Sequence, residues 1–215
     1  MTKIITIAGQ KGGAGKSTIA AHLAIALAQR GNKVLIIDID PQASLKSWYQ
    51  IREEYFGKSY TGVQFLESSG WRVSSTVSTY RNKVDYIVLD SPPHTELETK
   101  NAIRLADLVL IPMQPSPTDL WATKTTIEFA ESEKKDYRII LNRYNPNSKI
   151  AKEVVDQVEN RLDNYLGNRV AFCSCFLHGK TVTETDPSSQ AAMEIRAVTD
   201  ELLMILEHTE VLEEA

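Results

Sequence analysis

Residues 11–18 read Lys-Gly-Gly-Ala-Gly-Lys-Ser-Thr, directly after an apolar run, Ile4-Ile5-Thr6-Ile7-Ala8. The run reads as a buried strand. Ser17 opens a helix-like stretch reaching Arg30, with Ala20, Leu23, Ala24, Leu27 and Ala28 on one face. Between the two lies a glycine-rich loop. Gly12, Gly13 and Gly15 carry no Cβ, so backbone N–H groups along Gly12 to Thr18, Ala14 included, can close on a polyphosphate. Lys16 supplies a cation for the β/γ-phosphates. Ser17 offers a hydroxyl to Mg²⁺ at a helix N-terminus that favours anions. The ordinary phosphate-loop pattern wants glycine five residues before Gly15, where Gln10 stands. The loop is therefore a variant, with a second lysine, Lys11, at its entrance.

Two further apolar runs end in carboxylates. Val34-Leu35-Ile36-Ile37 runs into Asp38-Ile39-Asp40-Pro41-Gln42, and Tyr86-Ile87-Val88-Leu89 into Asp90-Ser91-Pro92-Pro93. Ligands of open α/β sheets bind at that end of the strands. An Asp there can hold Mg²⁺ directly or through water. The same residues can also act as helix N-caps, Asp38 above all.

Strands are expected at 3–8, 33–38, 63–66, 84–90, 107–112, 137–141 and 169–173. Helices are expected at 17–30, 42–55, 71–81, 96–105, 119–130, 148–166 and 188–208. This alternation implies an α/β chain of one domain over residues 1–215, a mostly parallel twisted sheet with helices on both faces. The 215 residues suit one domain with a substantial core, and 42% hydrophobic with 24% charged residues is ordinary for a globular protein. No apolar run approaches the ~20 residues that span a bilayer. The chain enters its first strand without a signal peptide, and Cys173 and Cys175 give no disulfide framework, so a cytoplasmic protein is expected. Net charge is −4, unevenly spread. Residues 151–215 hold 5 Lys/Arg against 13 Asp/Glu, a net of −8, which leaves +4 on residues 1–150.

Taken in order, these three motifs resemble the deviant Walker A ATPases of the ParA/MinD family. The resemblance spans nearly the whole chain. It continues through Asp107-Leu108-Val109-Leu110-Ile111-Pro112, Pro115-Ser116-Pro117-Thr118-Asp119-Leu120 and Ile140-Leu141-Asn142-Arg143. It is strongest to the small plasmid-partition ParA proteins. It implies ATP/ADP and Mg²⁺ as ligands and an ATP-sandwich homodimer. Lys11 would reach the partner's nucleotide much as an arginine finger does. Asp40 matches the aspartate that orients the attacking water. Asp38 and Asp90 match positions near Mg²⁺, with Ser17 the direct ligand. Asn142 and Arg143 would approach adenine, together with the loop around Pro187. Hydrolysis would be stimulated by a centromere-binding or cargo adaptor protein, with non-specific DNA as the matrix.

Other readings stand beside these. Asn142 and Asn145-Pro146-Asn147 are also good turn formers. The stretch Cys175–Thr181 is shorter than the basic, helical one of the small partition ATPases. With the acidic final third, that favours a protein cargo and weak DNA binding. Cys173 and Cys175, two apart on a strand, would share one face, either in the core or as an iron–sulfur ligand pair. Trp48, Trp71 and Trp121 are expected to pack on the sheet. The acidic end, Glu207 to Ala215, would be repelled by anionic lipid, so no membrane partner is expected.

Overall fold

A computed structural model describes residues 1–93 and 96–213, with side chains at all of these except 96 and 209–213. Six strands form one sheet: β1 (Lys3–Ile7), β2 (Val34–Asp38), β3 (Gln64–Glu67), β4 (Tyr86–Asp90), β5 (Leu108–Met113) and β6 (Tyr137–Leu141). Their order is β3-β2-β4-β1-β5-β6, and every pairing is parallel. The central strands are continuous apolar runs because both faces of the sheet are covered. One face is packed by α1 (Lys16–Ala28), α2 (Ser44–Phe56), α7 (Val170–Leu177), α8 (Val182–Thr185) and α9 (Gln190–Glu213). The other carries α3 (Val73–Tyr80), α4 (Glu96–Leu105), α5 (Pro117–Ser132) and α6 (Lys149–Val155).

Helix α1 is buried almost all round, from Ile19 to Leu27, which explains its alanines: it lies between the sheet and α9. Its start at Lys16 follows two left-handed glycines, Gly13 at φ 76° and Gly15 at φ 96°. Register then sets the carboxylates. Asp38 on β2 is directly opposite Asp90 on β4, and Asp90 is opposite Ile7, where β1 runs out into the glycine loop.

Several expectations need correction. Residues 169–173 are not a strand; Val170–Leu177 is helix α7. Cys173 and Cys175 accordingly do not share a face: Cys173 is exposed and Cys175 buried. The long helix at 148–166 stops at Val155. Beyond it the chain runs beside β6: Ile139 N–H donates to Asn160 C=O, and Leu162 and Leu166 N–H donate to Ile139 and Leu141 C=O. This segment closes the β6 edge of the sheet. Val158, Leu162 and Leu166 are buried four residues apart, a spacing that imitates a helix. Trp48 is in the core, but Trp71 and Trp121 are exposed.

Candidate functional site

The glycine loop is a row of unused donors. The backbone N–H groups from Gly12 to Ser17 find no acceptor among the described residues. Two side chains pull its carbonyls the other way: Asn142 Nδ2 donates to Ala14 C=O at 2.8 Å, and Gln114 Nε2 to Gly13 C=O at 3.1 Å. With the carbonyls held back, the unused N–H groups at this helix N-terminus suit an anion. A Cβ at Gly15 would spoil this arrangement. It would lie 2.3 Å from Asn142 Nδ2.

Lys16 is 6% exposed, and its Nζ donates to Lys11 C=O at 3.3 Å. Burial lowers its pKa, opposed by the charges of Asp90 and Asp40. A buried ammonium with one weak hydrogen bond is a group held ready for anionic oxygens.

Asp90 is the most telling residue. Neither of its carboxylate oxygens, both buried, has a hydrogen-bond partner among the described residues. Burial pushes its pKa up to about 8, with Asp38 and Asp40 adding to the rise and Ser17 and Lys16 opposing it. The Ser17 hydroxyl is close enough to favour the charged form, yet no bond of ordinary geometry closes between them. A buried carboxylate without a well-formed donor, beside a serine hydroxyl, fits a divalent cation and its water shell. Asp38 is different. Its Oδ1 accepts from Asp40 N–H and its Oδ2 from Lys46 N–H in the first turn of α2, both at 3.0 Å. It is thus a remote helix cap as well as a candidate outer ligand, and burial raises its pKa to about 6. Asp40 is half-exposed and steadied by Gln42 N–H at 2.9 Å.

A pocket of ≈ 380 Å³ joins the glycine loop, Lys16 and Ser17 to Asp40 and Pro93, while Asp38 lines a neighbouring one. The adenine side is less complete. Asn142 spends one N–H on Ala14 and its oxygen on Arg143 N–H. Arg143, at φ 55°, lines a cleft of only ≈ 30 Å³ with Gly15, Asn142, Arg169 and Cys173. Pro187 is exposed and does not line this cleft; its C=O accepts from Arg196. Lys11 is ion-paired with Asp119. Sequence reasoning missed Gln114, Asn142 and Asp119 as holders of the loop, because such contacts depend on distant segments that only the fold brings together. A separate, more apolar pocket of ≈ 270 Å³ lies between α4 and α5 and offers no row of donors.

The fold agrees with comparisons to known proteins. The chain is 28% identical to the Halothiobacillus neapolitanus protein "Maintenance of carboxysome distribution protein A", over 93% of this chain and 95% of that one. It is 26% identical to the "Chromosome partitioning protein ParA" of Myxococcus xanthus, over 94% of this chain and 88% of that one. Among solved structures, a putative plasmid partition protein of Borrelia burgdorferi bound to AMPPNP superposes with TM-score 0.79 at 24% identity, covering 95% of this chain and 99% of that one. The cell division ATPase MinD of Pyrococcus furiosus gives TM-score 0.80 at 22% identity, covering 95% and 100%. Residues 5–182 match the CobQ/CobB/MinD/ParA nucleotide binding domain, and the chain belongs to that family.

Proposed function

We propose that the protein is a Mg²⁺-dependent ATPase that works as an ATP-gated homodimer in partitioning plasmid or chromosomal DNA. The observation that carries the nucleotide part is the row of unused N–H donors beside buried, unpartnered Asp90 and buried Lys16. In this reading the loop N–H groups and Lys16 bind the phosphates. Ser17 and Asp90 would hold Mg²⁺, with Asp38 behind them. The metal, when bound, neutralises phosphate charge and so makes the γ-phosphorus open to attack. Asp40 orients a water at the γ-phosphate, and Lys11 reaches the nucleotide of the other subunit. The segments 38–42 and 90–93 change shape when the γ-phosphate leaves. A partner protein stimulates turnover.

A second reading keeps the engine and gives it a protein cargo. It is favoured by the net −8 of residues 151–215, which disfavours a strong phosphate-binding face. The name of the H. neapolitanus relative points the same way. One experiment tests both: ATP turnover, then binding to random-sequence duplex DNA at ~0.15 M salt with ATP–Mg²⁺ and with ADP. ATP-dependent, salt-sensitive binding supports DNA partition. Intact turnover without DNA binding moves the assignment to protein cargo, and absent turnover sinks the ATPase itself.

A further inference from the structure

The sheet has two edges, and the chain finishes them differently. The β6 edge is closed by the chain's own residues 160–167 through backbone hydrogen bonds. Among the described residues the β3 edge has no such cover: β3 pairs with β2 alone. Ser68 N–H donates to Asp38 C=O, so the ladder to β2 uses Gln64, Leu66 and Ser68. By the alternation of a parallel ladder, the N–H and C=O groups of Phe65 and Glu67 point away from the sheet. They find no partner among the described residues. An open edge of this kind is a template for another strand.

A groove of ≈ 580 Å³ runs beside it. Tyr49 of α2, stacked on Phe65 with centroids 4.6 Å apart, forms one wall; Tyr80 of α3 and Leu66 form the other. The two helices lie on opposite faces of the sheet, so alternate side chains of an added strand would meet alternate walls. Lys33 and Lys58, both exposed, line the same groove. Of the acids close by in sequence, Glu67 pairs with Lys46, and the Asp85 carboxylate accepts from Lys33 N–H.

We propose that the β3 edge is a docking site for an extended, acidic peptide segment of a partner protein, which adds to the sheet as a seventh strand between Tyr49 and Tyr80. Acidic residues suit Lys33 and Lys58. A second copy of this chain suits them less, since pairing β3 with β3 would bring the lysines of both copies into one interface. The proposal does not depend on the nucleotide reading.

The test uses the full chain and two acetylated, amidated octapeptides, one alternating valine with glutamate and one alternating valine with lysine. Binding is followed by fluorescence anisotropy at ~0.15 M salt. The acidic peptide should bind about three- to tenfold more tightly than the basic one, the size expected of two exposed ion pairs. Lys33→Glu with Lys58→Glu should reverse that order. Phe65→Pro removes one outward N–H at an edge position that tolerates proline, and should weaken binding about fivefold or more. Should that variant fail to fold, the acidic peptide N-methylated at alternate residues makes the same test on wild-type protein, and its binding should be lost. Equal affinity for both peptides, indifference to N-methylation, or competition from a β3-mediated dimer of this chain would each overturn the proposal.

Discussion

The Lys11 ammonium is ion-paired with Asp119 of its own chain, an exposed cation on a carboxylate that is 2% exposed. Asp119 is fixed for this by Gln114 N–H at 3.0 Å and by the Ser116 hydroxyl at 3.2 Å. The lysine proposed to act across a dimer interface is therefore held at home in the single chain. To reach a second nucleotide it must leave Asp119. Because Lys11 is 42% exposed, solvent screens the pair, and it contributes about 0.5–1 kcal/mol. Asp119→Asn keeps a polar group of the same shape but removes the charge. Since each dimer releases two such pairs, it should tighten the ATP-bound dimer about five- to thirtyfold in sedimentation equilibrium. A weaker dimer would mean that Asp119 supports the interface instead of restraining the lysine.

Asp90 gives the unliganded fold a pH dependence. Its folded-state pKa of about 8 lies above the ordinary carboxylate value, so between the two the native chain holds a proton that the unfolded chain has lost. That stabilisation is complete at low pH and disappears as pH rises through about 8. Asp38 does the same up to about 6. His22, buried and lowered to about 4, acts oppositely below its ordinary value. Above pH ~6.5 the Asp90 effect is left to dominate. Thermal or urea unfolding in chelator without nucleotide should lose about 1–2 kcal/mol between pH 6.5 and 8. Asp90→Asn should flatten that slope. A wild-type protein equally stable across this interval would show that Asp90 is ionised in the native state.

Asn142 is expected to tune nucleotide affinity by holding the loop rather than by touching a base. Asn142→Ala frees the Ala14 carbonyl to turn toward the phosphates. It should weaken binding of a fluorescent ATP analogue about fivefold, the size of one hydrogen bond. Gly15→Ala should do worse. It meets Asn142 and is strained at φ 96°, a cost of about 1–3 kcal/mol. Unchanged affinity in Asn142→Ala would show that the loop keeps its shape without the clamp.

Much of this architecture is legible in the chain. Apart from the half-polar β3, Gln64-Phe65-Leu66-Glu67, the strands that form the sheet are mainly apolar runs with carboxylates or glycines at one end, and a phosphate loop must follow β1 if its donors are to face the sheet's C-terminal edge. What escaped reading is informative. Val170–Leu177 is apolar, aromatic and only 8 residues long, so periodicity cannot separate strand from helix there. It is a helix that leaves Val170 and Leu177 in solvent, which no burial pattern would suggest. Residues 156–166 imitate a helix because Val158, Leu162 and Leu166 meet the core four residues apart while the backbone of this stretch serves the β6 edge. The Lys11–Asp119 and Asn142–Ala14 contacts span 108 and 128 residues, beyond any local pattern.

Arg52 ties the acidic final third of the chain to α2. It is 3% exposed, and its Nε donates to Thr61 C=O at 2.6 Å, Nη1 to Gly179 C=O at 3.0 Å. Nη1 and Nη2 also reach the two oxygens of Glu184 at 2.9 and 2.6 Å. Its guanidinium faces the rings of Trp48 and Phe56. Glu184 in turn caps α8 by accepting from Thr181 N–H. Removing the cation would strand a carboxylate and two carbonyls, so Arg52→Ala should cost about 3–5 kcal/mol in urea unfolding. Arg52→Lys should recover little, because one ammonium cannot serve a forked carboxylate and two carbonyls from the same place. Arg52→Met with Glu184→Gln separates packing from charge: it fills the space between Trp48 and Phe56 and leaves no unpaired ion. If stranded charge is the main penalty, the double variant should be more stable than Arg52→Ala. If both are equally destabilised, the carbonyls of Thr61 and Gly179 are what the guanidinium is there to satisfy.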